Sequence, residues 1–320
     1  MKVYNSIDEF AAAGVQKTVV TTGTFDGVHL GHKKILTKVE KIAKNSGAEG
    51  VLLTFHPHPR IIIFGEDSEL HLLSTQEEKK DLLEKAGVQH LIIHPFTKEL
   101  SRVTALDYVK DILVQKLHTH TMVIGHDHRF GKNREGSIKD LKEWGPLYGF
   151  TIDEIEPFQI NQQTISSTKI RKAIMAGDLQ EANNFLGYTY FMNAKVVSGM
   201  RLGTELGYPT ANLEVENKHK LIPCDGIYAV YVNVEGARSK EQGISYTALS
   251  QNSDLSLTTY PLPLFKGMMS IGMNPTIENK GRSMEVHIFD FKQDIYNKHL
   301  RISFYKKIRN EEKFETLADL

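Results

Sequence analysis

The densest run of residues able to do chemistry is Gly23-Thr24-Phe25-Asp26-Gly27-Val28-His29-Leu30-Gly31-His32. Glycines at 23, 27 and 31 let the chain turn tightly and let backbone amides approach an anion. His29 and His32 flank Gly31 where a helix begins, and a helix N-terminus attracts phosphate. Two imidazoles there add charge-assisted donors as negative charge builds on a transferring phosphate. A glycine-rich turn with two incidental surface histidines would leave this pairing unexplained. Without a Gly-Lys-Ser/Thr ending, the loop is not a Walker-type phosphate loop.

Ser166, Ser167 and Thr168, with Arg171 behind them, precede a helix expected to end near Gly177. An N-cap hydroxyl satisfies an orphan amide, which accounts for one serine but not for three hydroxyls and an arginine. Beside the histidine turn, the set suits the β- and γ-phosphates that leave as pyrophosphate. Two more polar clusters are His56-Pro57-His58-Pro59 and Gly125-His126-Asp127-His128-Arg129-Phe130-Gly131. The first reads equally as a rigid loop with exposed rings or as a substrate-orienting pair.

Later in the chain, Gly199, Gly203 and Gly207 lead into Tyr208-Pro209-Thr210-Ala211-Asn212. Such glycines let a loop fold closely over phosphates. The rigid proline then presents Thr210 and Asn212 as oxygen ligands suited to magnesium. In Met284–Phe291 a period of two puts Glu285 and His287 opposite Met284, Val286 and Ile288. Most such acids are the solvated side of an edge strand, but a glutamate facing a substrate hydroxyl can act as general base.

These residues need elements to hold them. Apolar β-branched runs at 19–22, 51–55, 91–93 and 122–124 predict buried strands of a sheet covered on both faces. Amphipathic helices are expected between them: one from about His32 to Ser46, one opened by a Ser74-x-x-Glu77 capping box, and one starting at Thr104. This alternation predicts a doubly wound parallel sheet, a Rossmann-like α/β domain, with the polar clusters at 23–32, 56–59 and 125–131 beyond the carboxyl ends of its strands. After a short helix opened by Asp178-x-x-Glu181, the pattern changes. Strand-like runs at 188–197, 226–234, 265–273, 283–291 and 299–305 predict an antiparallel barrel. The expected domains are 1–186 and 187–320, and the polar stretch from about Gly236 to Leu264 is expected to be a surface loop or lid.

Among the 320 residues, 39 Lys and Arg balance 39 Asp and Glu, which provides no field for general nucleic-acid or anionic-membrane binding. One cysteine, Cys224, can form neither an internal disulfide nor a thiolate zinc site, which suits a reducing compartment. The N-terminal residues turn polar too early for a signal peptide, and no apolar run reaches membrane-span length, so a cytoplasmic protein is expected.

The His-x-Gly-His turn, Gly-x-Asp-x-x-Phe-Gly at Gly125–Gly131 and Ile-Ser-Ser-Thr-x-Ile-Arg at Ile165–Arg171 resemble the adenylyltransferase half of prokaryotic bifunctional riboflavin kinase/FAD synthetases. The Gly-rich Pro-Thr-Ala-Asn segment resembles their riboflavin kinase module, as do Pro223-x-x-Gly226-Ile227-Tyr228, Ile271-Gly272-x-x-Pro275-Thr276, Glu285-x-His287 and Ile308-Arg309-x-Glu311. Where that family often has phenylalanine after the aspartate, this chain has His128. The resemblance implies phosphorylation of riboflavin to FMN and adenylylation of FMN to FAD, with ATP as co-substrate and Mg2+ as cofactor. It implies catalytic roles for His29, His32 and Glu285. ATP and its phosphates would lie on Gly23, Phe25, Asp26, Gly31, Ser166, Ser167, Thr168 and Arg171, and in the kinase on Gly199, Gly203 and Gly207. Flavin would meet His56, His58, Asp127 and Phe130 in one half and Arg309 and Glu311 in the other. The metal would sit on Thr210 and Asn212. Partners are then small molecules, not nucleic acid or membrane, and self-association stays open. Two other readings are a nucleotidyltransferase with an inert kinase-like barrel and a non-catalytic flavin- or nucleotide-binding regulator.

Overall fold

The computed structural model describes residues 1–65, 70–160, 163–198, 208–235, 264–273 and 282–312. By its contacts the chain divides into two units, Met1–Ser166 and Ser167–Leu320. Among the described residues no helix is long and apolar enough to cross a membrane.

In the first unit, β1 (Lys2–Tyr4), β2 (Thr18–Thr22), β3 (Glu49–His56), β4 (His90–Pro95), β5 (Thr119–Gly125) and β6 (Thr151–Ile155) form a parallel sheet ordered β1-β4-β3-β2-β5-β6. Its helices are α1 (Ile7–Ala12), α2 (Leu30–Ser46), α3 (Pro59–Phe64), α4 (Gln76–Lys85), α5 (Ala105–Asp107), which runs on into a π-type helix at Tyr108–Lys116, and α6 (Ile138–Tyr148). A small hairpin follows, β7 (Gln159–Ile160) with β8 (Gln163–Thr164).

Alternate residues of each strand face opposite layers, and both layers are apolar. Val20, Met122 and Ile124 pack with Phe10, Val109, Leu113 and Leu141, whereas Val19 and Val123 pack with Val39 and Ala43 of α2. A strand buried on both faces reads as an unbroken apolar run, which is why β2 to β5 stand out in the sequence. The order of strands reverses between β2 and β5, so a crevice opens beyond their carboxyl ends. The segments leaving β2 and β5 are Gly23–His32 and Gly125–Gly131.

One helix start differs from its sequence reading. The capping box of α4 is Thr75 with Glu78, one residue after Ser74 and Glu77. Ser74 is taken elsewhere: its Oγ accepts the Gly27 amide and its own amide donates to Asp26.

The second unit opens with α7 (Ser167–Ala176) and α8 (Leu179–Leu186), the latter capped by Asp178 as expected. Asn183 of α8 accepts the Tyr190 amide and donates to the Phe304 carbonyl, which fixes the helix against the barrel. The barrel strands are β9 (Phe191–Val197), β10 (Ala211–Glu214), β11 (Gly226–Val234), β12 (Leu264–Met273), β13 (Arg282–Ile288) and β14 (His299–Arg309), closed in the order β10-β13-β12-β11-β14-β9. Along β11, Tyr228, Val230, Val232 and Val234 point inward and alternate with half-buried residues. Ile302, Phe304, Met269 and Ile271 are among the residues filling the same interior. The expected loop or lid at 236–264 lies outside the described residues apart from Leu264, where β12 begins.

Candidate active sites

In the first unit the turn after β2 is built around His29. Its backbone is extended, and its Nδ1 accepts the amide of His32 at 3.3 Å, so the side chain is the N-cap of α2. Its ring then stacks on His32, with centroids 3.7 Å apart and planes within 13°. Phe25 packs on the other ring neighbour, 4.6 Å from His32. A Cβ on Gly31 would meet the His29 ring at 3.2 Å, so the glycine makes room for the cap. Phe25, Gly27 and Val28 all have positive φ, at 48°, 78° and 36°. For a β-branched valine that is a strained conformation, of the kind that clusters at ligand clamps.

Burial pushes the His32 imidazole well below its ordinary 6.5, and the neighbouring His29 and Lys79 add to this. Its Nδ1 is buried with no hydrogen-bond partner. With Nδ1 of His29 accepting an amide, a neutral His29 carries its proton on Nε2. The site therefore holds two stacked, partly or fully desolvated imidazoles at the positive end of a 17-residue helix.

Beneath the turn is a support that the sequence did not reveal. Asp26, 3% exposed, accepts the amides of Leu73 and Ser74 at 3.0 and 3.1 Å. Lys79 of α4 donates to the Thr24 carbonyl at 3.2 Å and to Thr54 Oγ1 at 3.5 Å, and burial lowers its ammonium to about 8. A lysine on a charged helix, in the run Glu77-Glu78-Lys79-Lys80, gives no hint that it points inward. The one legible clue was polar Thr54 inside the apolar run of β3.

Other predicted residues have different environments. His56 ends β3 at the rim, its imidazole lowered by partial burial and by Lys79. His58 caps α3 by accepting the Arg60 amide at 3.2 Å. Gly125 lies against Ile35 of α2, and Asp127 projects into solvent with His126 4.0 Å away. Phe130 is 7% exposed, stacks near Tyr108 and forms a bridge with Gly136, so its ring belongs to the core. His128 stacks on it, is lowered to about 4 by burial, and has a buried Nε2 without a partner. Ser166 closes the first unit, and Ser167, Thr168 and Arg171 lie on the first helix of the second.

In the barrel, β10 and β13 pair so that Asn212 stands opposite Glu285, and β12 places Ser270 on the other side of it. Thr210 Oγ1 donates to Glu285 Oε2 at 2.9 Å. His287 Nδ1 bonds the Pro209 carbonyl at 2.8 Å and fixes the segment that carries Thr210. Threonine hydroxyl, asparagine amide and carboxylate thus come together on the half-buried face of the strands, a hard oxygen set of the kind magnesium takes. Arg309 pairs across from Ile227, and the Glu311 carboxylate fills the space left by Gly272, two positions from Ser270. Gly199, Gly203 and Gly207 lie outside the described residues.

Comparison with known proteins adds to this geometry. The FAD synthetase family matches residues 12–169, and the riboflavin kinase family matches residues 186–320. Over 320 residues the chain is 31% identical to the bifunctional riboflavin kinase/FMN adenylyltransferase of Escherichia coli K12, covering 100% of this chain and 93% of that protein. It is 34% identical over 303 residues to the protein of that description from Listeria monocytogenes, covering 94% and 87%. A crystal structure described as a macrolide-efflux protein from Streptococcus pneumoniae superimposes with a TM-score of 0.81 at 26% identity, covering 99% of this chain and 93% of that one.

Proposed function

The chain belongs to the bifunctional riboflavin kinase/FMN adenylyltransferase family, and on that premise we propose how its residues divide the making of FAD. The enzyme phosphorylates riboflavin to FMN and adenylylates FMN to FAD. The observation that carries this is the tandem of both family domains in one chain, at residues 12–169 and 186–320.

In the adenylyltransferase, a phosphate oxygen of FMN attacks the α-phosphorus of ATP, the bond to the β-phosphate oxygen breaks, and pyrophosphate leaves. The Gly23–Gly31 turn and the first amides of α2 receive the phosphates. His29, with its proton on Nε2, donates toward the charge that builds on the transferring phosphate. His32 is neutral in the unliganded chain. An arriving polyanion raises its proton affinity, and its orphaned nitrogen gains a partner. Ser166, Ser167, Thr168 and Arg171 are assigned to the leaving pyrophosphate, His56, His58 and Asp127 to the flavin side. Asp26 and Phe130 serve the site by shaping it.

In the kinase, the riboflavin 5′-hydroxyl attacks the γ-phosphorus of ATP and ADP leaves, while Glu285 accepts the hydroxyl proton. The hydroxyl of Thr210, which donates to that carboxylate at 2.9 Å, supports this reading. A magnesium ion would be held by Thr210 and Asn212 and would neutralise phosphate charge during transfer. Arg309 and Glu311 are assigned to the flavin. A cell compartment that supplies ATP and keeps Cys224 reduced, the cytoplasm, suits both steps.

Incubation with riboflavin, ATP and magnesium, followed by separation of the flavins, tests the assignment. Wild type makes FMN and FAD, His29→Ala stops at FMN, and Glu285→Ala makes FAD only from added FMN. No flavin turnover by wild type would overturn the reading.

A further inference from the structure

Lys79 is a buried cation of the first unit that the mechanism above leaves unused. It is 8% exposed, although lysine is almost never buried unless paired. Among the described residues its Nζ has no carboxylate in bonding contact; it donates to the Thr24 carbonyl and to Thr54 Oγ1. The Thr24 carbonyl already accepts Thr54 Oγ1 at 3.3 Å, and the Gly23 amide donates to the Leu53 carbonyl at 3.1 Å. The turn is therefore tied to β3 without the lysine. Desolvating an ammonium is a costly way to obtain that tie alone. What Lys79 adds is a fixed positive charge under the turn.

The groups around it agree with this. Asp26 of the turn favours the charged lysine, and its own oxygens are on the Leu73 and Ser74 amides. His32 of α2 and His56 at the end of β3 both lie in the lysine's field, which disfavours their protonation. On its own helix, Glu78 is engaged with the Thr75 amide. A cation that suppresses protonation of the neighbouring imidazoles is poised to favour an incoming anion instead.

We propose that Lys79 is a positioning residue of the adenylyl-transfer site, clamping the Thr24 carbonyl from below and favouring negative charge on phosphates held by the Gly23–Gly31 turn. This rests on the adenylyltransferase reading of the first unit. The kinase of the same chain provides an internal control, since Lys79 has no part in it.

The test is steady-state kinetics of FAD formation from FMN and ATP by the full-length wild type, Lys79→Met and Lys79→Arg, from about pH 6.5 to about pH 10. Lys79→Met should lower kcat about 10²-fold, with riboflavin phosphorylation unchanged. Lys79→Arg should recover most of that loss. Wild-type kcat/KM should fall as pH rises through about 8, the range in which burial places the ammonium, and the arginine variant should keep its activity there. Wild-type kcat in Lys79→Met would overturn the proposal. So would a parallel loss in both variants with an unmoved alkaline limb, which marks a packing role; this comparison holds even where the methionine variant folds poorly. Absence of FAD formation by wild type would instead overturn the reading on which the proposal rests.

Discussion

At His29 one ring serves two ends, because Nδ1 caps α2 while the rest of the imidazole stacks on His32. Asparagine can also cap a helix, so His29→Asn separates the two roles. We expect His29→Asn to unfold within about 0.5 kcal/mol of wild type and His29→Ala to lose about 1 kcal/mol, with both failing to adenylylate FMN. Thermal unfolding and FAD yield check this, and adenylylation by His29→Asn would reduce the histidine to a cap. His128 makes a separate prediction about pH. Its folded value, about 4, lies below the ordinary 6.5, so between those values the unfolded chain binds a proton that the fold refuses. Stability is unaffected above about pH 6.5 and falls as pH drops toward about 4. Denaturant unfolding at about pH 7 and about pH 4.5 should show that His128→Phe shrinks this acid loss by about 2 kcal/mol. The identity of the histidines was legible in the sequence, but the lowering of His32 and His128 was not, because it is set by burial and, at His32, by Lys79 from another element.

At the element scale, the run Ser74-Thr75-Gln76-Glu77-Glu78 offers two overlapping capping boxes. Local chemistry cannot choose between them. Asp26 and Gly27, 48 and 47 residues away, claim Ser74 and leave the cap to Thr75. Hence Thr75→Ala should cost about 1 kcal/mol of stability with little change in the rate of FAD formation. Ser74→Ala, which leaves the Gly27 amide without its acceptor, should lower that rate more than it lowers stability. Paired measurements of unfolding and kcat distinguish them, and equal effects on rate would refute the division of labour. The same limit explains other differences. Helix α6 was not read because Gly145 and Pro146 interrupt its pattern, although Ser137 and Asp140 form a proper capping box at its start. Strand β10 was read only as a ligand-bearing segment, since its four residues acquire strand character from β9 and β13. The π-type turns at Tyr108–Lys116 share their inward residues with an α-helix and so leave no mark in the apolar spacing.

At the scale of the whole molecule, the change from alternating helix and strand to strand after strand was plain in the sequence, and so was the nature of both folds. The sheet order was not, because parallel neighbours are chosen by packing between distant segments. With the two family domains matched to separate stretches of the chain, residues 12–169 and 186–320, the two steps should be separable. A mixture of His29→Ala and Glu285→Ala chains should convert riboflavin to FAD, with free FMN detectable in between. Failure of the mixture, with each variant retaining its single activity, would mean that FMN does not leave the chain that makes it. Closure of the barrel also has a consequence in time. Strand β9 pairs with β14, joining Phe191 to Ser303, and β11 leans on β14 along its length. During synthesis the sheet of the first unit has all its strands once Ile155 has emerged, whereas the ring cannot shut until the chain has been made through β14. Until then β9 and β11 present unpaired edges to the surrounding medium, so the nascent chain passes through an interval of exposure to wrong partners that the finished enzyme never shows.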